Sequence, residues 1–178
     1  MKQAEHLSVY KHNFASWTAS RAVQRDFTST PIIRAAIDYS GLNKAVITLA
    51  TKKLSIGMYD DWHIEIVSKL RKSLIKSLEK EKLSYGRLSK IIAIYLKTFH
   101  ILNNPYDKLS QIAHIPVDRI ILDELYKNYK ISIFNTTNTT WTKLSQKKYF
   151  SVIAELRNVQ KVENLKCLWM LEKYWVIK

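Results

Sequence analysis

Apolar and polar residues follow each other along this chain with the three- and four-residue spacing of helices that bury one face. The segments with this spacing are predicted helices, and they cover residues 12–25, 30–40, 60–80, 84–102, 116–126, 145–160 and 163–176. Residues 42–58 are compatible with a further short helix or with a β-like stretch. The pattern therefore predicts about seven or eight helices and an all-α fold.

Turn-forming and capping residues support several of these boundaries. Thr30-Pro31 is a favourable helix start, because proline suits the first helical position, and Gly41 is a favourable stop. Ser84 is a suitable N-cap for the next long helix, and the Asn-Asn-Pro sequence at 103–105 ends it.

Two of the predicted helices carry residues of further interest. Helix 84–102 is apolar on nearly all sides and surrounds Lys90 with isoleucines, so we expect it to be buried at the centre of the fold. Helix 60–80 is apolar on one side and presents a lysine row on the other, formed by Lys69, Lys72, Lys76 and Lys80. Such a row either follows a phosphate backbone or is a solvated face.

Length and composition agree with a helical fold. The chain has 178 residues, which we treat as a single domain (1–178) with a real hydrophobic core. Apolar residues make up 47%, so the chain is not a disordered tail. Its three glycines and three prolines leave few of the turns that a many-stranded β fold needs. We expect one compact bundle of helices.

The net charge changes this picture by indicating a partner. Lys and Arg number 29 against 15 Asp and Glu, which gives a net charge of +14. A strongly basic protein that is also 11% aromatic favours nucleic acid, since neutralising phosphates releases counterions. A basic surface that is merely solvated is the simpler alternative. We do not expect a membrane surface, because the ends of the chain lack a strongly amphipathic basic helix and a lipidation signal.

The sequence indicates no cofactor, and its features favour a cytoplasmic protein. The single cysteine, Cys167, excludes an internal disulfide and a cysteine-built zinc or iron–sulfur site. His12, His63 and the aspartates at 60–61 match no zinc spacing, so no metal site is predicted. A phosphate-binding loop and a dinucleotide fingerprint are absent from the sequence, which argues against nucleotide cofactors. The N-terminal segment has no apolar core of a signal peptide, and the apolar runs are too short to span a bilayer.

Lys90 and Asp118 are the candidate catalytic residues. A lysine held in apolar surroundings has a lowered pKa, which frees its amine for attack on an electrophilic carbon. The simpler interpretation is an exposed lysine whose stem packs on the helix. Asp118 stands near the start of a predicted helix, where an aspartate is a common cap. The same position allows its carboxylate to stabilise a developing oxocarbenium ion.

The residues around this pair resemble a known family. GRLSKIIAIYLKT, at 86–98, resembles the GRKTANVVLNT stretch of the helix-hairpin-helix DNA glycosylases of the endonuclease III superfamily, and Lys90 takes the place of the lysine there. IPVDRIIL, at 115–122, resembles that superfamily's P-V-D-x-H-V segment, where Asp118 matches the catalytic aspartate. The lysine-to-aspartate separation is closest to that of the AGOG-type 8-oxoguanine glycosylases. The match covers about a fifth of the chain.

The chain departs from the family pattern at positions where the family contacts DNA. The usual L-P-G-V-G hairpin is reduced to LSYG at 83–86, which keeps Gly86 alone, and Ile120 replaces a histidine beside Arg119. From the resemblance and the lysine row together, we expect DNA to be contacted by Gly86, Arg87, Lys97, Arg119, Lys69, Lys72 and Lys76.

The activity that the resemblance implies is excision of a modified base from double-stranded DNA. The target nucleotide is flipped out and stacks on aromatic or apolar side chains. The candidates for this base pocket are Trp17, Trp62 and Trp169 for stacking, with Arg21 and Gln24 for hydrogen bonds to the base edge. Each tryptophan also fits an ordinary core position.

The identity of the base and the exact reaction stay open at this stage. Oxidised guanine follows from the nearest analogy, whereas a bulky modified base, such as those of phage genomes, would make this a defence enzyme. A lyase step through Lys90 is compatible with the pattern, and so is simple hydrolysis through Asp118. The alternative from a different class is a non-catalytic nucleic-acid-binding protein or regulator, for which the charge alone suffices.

Overall fold

Side-chain caps set the start of most helices in this protein. The computed structural model describes residues 2–137 and 140–176. Within these residues it contains eight α-helices and no β-strand, so the all-α prediction is confirmed. The helices are α1 (Lys2–Val23), α2 (Thr30–Ser40), α3 (Leu42–Ala50), α4 (Ile56–Leu74), α5 (Tyr85–Leu96), α6 (Lys108–Ile112), α7 (Arg119–Tyr129) and α8 (Gln146–Val162).

Short helical turns complete the described chain. A π-helical turn, Lys97–Ile101, continues directly from α5. The 3₁₀ turns are Lys80–Lys82, Ser132–Phe134, Trp141–Lys143 and Leu168–Tyr174.

The capping residues act by accepting a backbone N–H of the first helical turn, as expected for serine and aspartate at this position. Ser84 accepts from the N–H of Arg87 at 3.2 Å, as its predicted role as a cap of α5 requires. Asp118 accepts from the N–H of Ile121 at 3.2 Å and caps α7. At the other end of α2, Gly41 has φ 65°, the left-handed conformation that ends helices and that glycine adopts without strain.

Helix α5 lies at the centre of the fold, as predicted. Leu88, Ile91, Ile92, Tyr95 and Leu96 are fully buried. It packs against α1, α4 and α8 and so is enclosed by helices from both halves of the chain. A helix that is apolar nearly all round is stable only in such a position.

Several predicted boundaries differ from the structure. Helix α4 begins at Ile56 because Ser55 caps it, and it ends at Leu74, so Lys76 and Lys80 lie beyond it rather than in a continuous helical row. Helix α7 begins at Arg119, after Asp118, rather than at Pro116, since the capping residue itself has an extended backbone.

The structure also differs from the predicted helices in residues 42–58 and near both ends of the described chain. Residues 42–58 contain helix α3 and the start of α4, and α6 was not predicted. Helix α1 starts at Lys2, ten residues before the predicted start at His12. The predicted last helix, 163–176, is a 3₁₀ turn, Leu168–Tyr174, because Asn164 takes a positive φ that separates it from α8. In the described part of the chain, every helix is too short or too polar to cross a membrane.

Candidate active site

Lys90 and Asp118 meet in space although they lie on different elements. Lys90 projects from the middle of α5, and Asp118 is held at the N-cap of α7. Lys90 Nζ lies 3.3 Å from Asp118 Oδ2, and the two side chains are only 11% and 13% exposed. The convergence that the sequence motif required is therefore present.

The two carboxylate oxygens of Asp118 have separate partners. Oδ1 accepts the N–H of Ile121 at 3.2 Å, which is the capping bond. Oδ2 accepts the ammonium of Lys90 and, at 3.0 Å, the indole N–H of Trp175. The capping bond fixes the direction of the carboxyl group, so Oδ2 is presented to Lys90 and to the space beside it.

Lys90 has an environment that makes its ammonium group easier to deprotonate than that of an exposed lysine. Burial lowers the pKa of Lys90, and the nearby carboxylate of Asp118 offsets this only in part. Lys90 Nζ also lies 4.3 Å from the centroid of the Trp141 ring, a cation–π distance. The amine thus has the Asp118 carboxylate and the Trp141 ring as neighbours, and Trp175 in turn holds the carboxylate.

A cavity of about 310 Å³ opens beside this pair. Its walls come from α1, α5, the start of α7 and the C-terminal 3₁₀ segment. Apolar walls are provided by Ala22, Ile94, Pro116 and Ile121, and Trp175 adds an aromatic one. The cavity size lies at the lower end of the range of roughly 300–1,000 Å³ that is usual for small-molecule sites.

A second ion pair forms another wall of this cavity. Lys97, at the first position of the π-helical turn, pairs with Glu172 of the 3₁₀ turn. Burial raises the pKa of Glu172, and Lys97 counteracts the increase only in part. A carboxyl group with a raised pKa beside a cavity is a candidate proton donor.

The Lys97–Glu172 pair also borders a neighbouring cavity of about 410 Å³. This cavity is mainly apolar and contains Trp169, whose indole N–H donates to the carbonyl of Pro105 at 2.9 Å. The thiol of Cys167, which is buried, lies 3.5 Å from the same carbonyl. The ion pair therefore stands between two adjacent hollow spaces.

The residues predicted for the base pocket lie elsewhere. Trp17 and Arg21 are on the solvent-exposed side of α1, where Trp17 stacks on Phe14. Gln24 accepts the hydroxyl of Thr30 at 2.7 Å near the start of α2. The residues that line the Lys90–Asp118 cavity include none of these three, nor Trp62 or Trp169.

Trp62 belongs to a different part of the surface. It lines a depression formed with α2 and α3, together with Lys44, Lys52 and Lys69. Its indole nitrogen is buried and has no hydrogen-bond partner in the structure. Its predicted place in the base pocket is therefore corrected, because α4 carries it to another face of the protein.

The residues predicted to contact DNA near the motif are only partly accessible. Gly86 is buried, and its N–H donates to the carbonyl of Leu144 at 3.1 Å, so it cannot hold a phosphate as the hairpin resemblance implied. Arg87 donates to the carbonyl of Asp26 at 2.8 Å and lies over the ring of Phe27. Its guanidinium therefore has intramolecular partners.

The remaining predicted DNA contacts differ in position. Arg119 is exposed next to Asp118 and lines a depression of about 400 Å³ with Trp141 and four threonines. Lys69 pairs with Glu65 at 2.6 Å, and Lys72 and Lys76 are exposed on the same region of the surface. Arg119 is thus the exposed cationic residue that lies nearest to Asp118 in the sequence.

Three residues of the site were missed by sequence reasoning. Trp141, Glu172 and Trp175 lie around Lys90 and Asp118. Trp141 begins the short Trp141–Lys143 turn, Glu172 lies in the Leu168–Tyr174 turn, and Trp175 directly follows that turn. They match no part of the motif in sequence, and only the packing of their segments against α5 places them here. Comparisons of the chain with protein-family models, curated proteins and solved structures found no match.

Proposed function

We propose that this protein is a DNA glycosylase that excises a modified base, with Asp118 and Lys90 as its catalytic residues. The observation that carries the proposal is the 3.3 Å approach of a buried lysine amine to a capped carboxylate on the wall of a small cavity. The net charge of +14 suits a DNA substrate. The motif resemblance gives the same assignment to the same two residues.

The cavity has the chemistry expected for an extruded nucleoside. Its apolar walls and the ring of Trp175 offer surfaces on which a base can stack, which offsets the cost of removing the base from the duplex. Lys90 and Asp118 lie together and the Lys97–Glu172 pair forms another wall, so the sugar is expected next to Lys90 and Asp118 and the base next to Trp175 and Glu172.

Cleavage of the glycosidic bond requires stabilisation of positive charge at C1′ of the deoxyribose. Asp118 Oδ2 supplies negative charge in a site from which water is largely excluded, where an electrostatic interaction is strong. The base departs with the electron pair of the C1′–N bond. Glu172, whose pKa burial raises, supplies the proton that the departing base requires.

Lys90 provides the nucleophile in the proposed reaction. Its neutral amine forms a bond to C1′ as the base departs, and the surplus proton on Nζ passes to Asp118. The C1′–O4′ bond then breaks, the proton held by Asp118 passes to O4′, and the opened sugar is left joined to Nζ as a protonated Schiff base at C1′, which is the intermediate of a lyase step. In the absence of Lys90, water takes the place of the amine and hydrolysis is the only outcome.

The first experiment incubates the protein with duplex DNA containing a panel of modified bases, from 8-oxoguanine to bulky substituted pyrimidines, and measures abasic sites. Asp118→Asn is expected to lower base release by at least about a hundredfold, because the negative charge at Oδ2 is lost. DNA binding is expected to survive, since the amide oxygen can still cap α7. Steeply salt-dependent binding without abasic sites from any substrate would instead favour the non-catalytic binding protein.

The second experiment tests Lys90 by trapping the Schiff base with borohydride, which reduces it to a stable amine. A covalent protein–DNA adduct is expected with the wild type and with the control Lys69→Gln, which changes an exposed lysine of α4 outside the cavity, but not with Lys90→Gln. Because burial lowers the pKa of Lys90, adduct formation should rise with pH and reach half its maximum below pH 10.5. An adduct that persists in Lys90→Gln would exclude this lysine as the nucleophile.

A further inference from the structure

The outer side of α1 carries aromatic side chains that the fold does not explain. Tyr10, Phe14 and Trp17 are 71%, 59% and 48% exposed and follow each other at spacings of four and three residues. They form one line along the helix, which we call the α1 aromatic row. Phe14 and Trp17 stack with their ring centroids 6.2 Å apart.

The row is separate from the face by which α1 joins the core. Ala15, Ala19 and Val23 are buried on the opposite side, where α1 packs against α5. The helix is therefore apolar on two sides, of which one is needed for folding. A contiguous exposed apolar surface of this kind marks an interaction site more often than a random surface does.

The charge of the helix indicates what this surface binds. Residues 7–25 contain no aspartate or glutamate, whereas Lys11, Arg21 and Arg25 are basic. Arg21 continues the aromatic row by one further turn. Two copies of the protein that met through this helix would bring these cations together, so a polyanion is favoured over self-association.

The row also leads to the candidate active site. Thr18 and Ala22, which directly follow Trp17 and Arg21 in sequence, line the Lys90–Asp118 cavity. A strand that lies on the row therefore reaches the edge of that cavity. Tyr10 to Arg21 spans about 16 Å of helix, room for roughly five stacked nucleotides.

We propose that the α1 aromatic row is a stacking surface for unpaired bases of single-stranded DNA, which it directs toward the cavity. Aromatic faces stack only on bases that are not already paired, while cations beside them hold the backbone. The proposal shares with the proposed glycosylase only the premise that DNA is the partner. It adds that the protein prefers a target in an unpaired region.

The test measures the anisotropy of a fluorescent twelve-residue oligothymidylate, which contains no modified base, and of an unmodified hairpin duplex. The double variant Phe14→Ala/Trp17→Ala is expected to bind the single strand at least about tenfold more weakly than the wild type. Tyr39→Ala, which removes an equally exposed aromatic side chain on α2, is the matched control and should leave binding unchanged. Arg21→Gln should reduce the slope of log affinity against log salt concentration by about one.

Three results would overturn the proposal. They are unchanged single-strand affinity in the double variant, a wild-type dimer that the same variant dissociates without any change in DNA affinity, and binding to anionic vesicles in place of single-stranded DNA. Base release distinguishes this proposal from the glycosylase. Weak single-strand binding with intact base release would contradict the role of the α1 aromatic row and leave the glycosylase proposal standing. Strong single-strand binding without base release would contradict the glycosylase proposal and leave the role of the row standing.

Discussion

At the scale of single residues, Asp118 performs two tasks with two different oxygens. Oδ1 caps α7, and Oδ2 contacts Lys90 and Trp175. Because the tasks are divided, a substitution that removes the charge need not remove the cap. Asparagine at this position is therefore more informative than alanine, which would leave the N–H of Ile121 without its partner.

The indole N–H of Trp175 is expected to position the Asp118 carboxylate. Trp175→Phe keeps an aromatic wall on the cavity but removes the donor that holds Oδ2 at 3.0 Å. Loss of a hydrogen bond to a charged group costs about 1.5–3 kcal/mol, so the melting temperature should fall by a few degrees, and base release should slow by roughly tenfold or more because Oδ2 is no longer held in place. The measurement is single-turnover base release combined with thermal unfolding.

Trp169→Phe is the control for this experiment. It also removes an indole donor, in this case to the carbonyl of Pro105, but it does so in the neighbouring cavity. We expect base release to be unaffected. Equal losses in both variants would mean that the C-terminal segment acts through stability and not through Asp118.

At the scale of elements, α5 connects the fold to the site. Its first turn is fixed by a close approach to the segment that carries Trp141. A Cβ atom placed on Gly86 would lie 2.1 Å from the carbonyl oxygen of Trp141. Glycine at position 86 thus allows α5 to pack closely against the segment at Trp141. This packing places the Trp141 ring over Lys90.

Gly86→Ala is expected to destabilise the protein. The added methyl group meets backbone, which can move only by displacing the 141–144 segment, so the free energy of unfolding should fall by about 1–3 kcal/mol. Urea denaturation measures this change. If Trp141 moves with its segment, base release should fall as well.

Gly57→Ala is the matched control in the first turn of α4. A Cβ atom at Gly57 would meet only the hydroxyl of Ser55, at 4.0 Å. Since alanine is the better helix former, this variant should gain about 0.5–1 kcal/mol. A gain for both variants would contradict the packing assigned to Gly86.

The elements show what the sequence could and could not predict. Gly41 and Ser84 determined their helix ends through local conformation and capping, so these ends were predictable. The pairing of Lys90 with Asp118 was predictable from a motif. Glu172 and Trp175 were not, because a 3₁₀ turn that docks on a distant helix leaves no periodic pattern in sequence.

At the scale of the whole molecule, a buried network of histidines and tyrosines joins α4, α5, α8 and the segment before α7. His63 Nδ1 lies 2.9 Å from the hydroxyl of Tyr85, and His114 Nδ1 lies 3.2 Å from that of Tyr149. His114 Nε2 lies 2.9 Å from Asp60, whose carboxylate also accepts two bonds from Arg157. The network places hydrogen-bonded polar groups within a largely apolar core.

The groups of this network have displaced pKa values. Burial lowers the pKa of both His63 and His114, so both are neutral in the folded protein near pH 7. Burial raises the pKa of Asp60, but the hydrogen bonds from His114 and Arg157 outweigh this and hold it well below its usual range. The stabilising contribution of Asp60 is therefore complete above the usual pKa range of an aspartate and is lost progressively as the pH falls from that range through its lowered pKa.

Because both histidines are neutral in the folded protein, we expect the protein to lose stability in mild acid. Below about pH 6.5 the unfolded chain binds protons at these histidines that the folded protein does not bind. The free energy of unfolding should therefore fall as the pH decreases from 7 to 5, with a slope approaching about 2.7 kcal/mol per pH unit. Denaturant titrations at several pH values measure this slope.

Substitutions separate the buried histidines from the exposed ones. His63→Phe should remove about half of the slope, because one of the two protons no longer contributes. His6→Asn, on the exposed side of α1, should leave the slope unchanged. A slope that is the same in His63→Phe as in the wild type would contradict the neutral state assigned to His63.

The enclosed position of Cys167 has a practical consequence. It is the single cysteine of the chain and is shielded from solvent, so a thiol engineered at Ile120, which is exposed two positions after Asp118, would react selectively with a maleimide dye. An environment-sensitive fluorophore at that point would test, in real time, whether an oligonucleotide arrives beside Asp118.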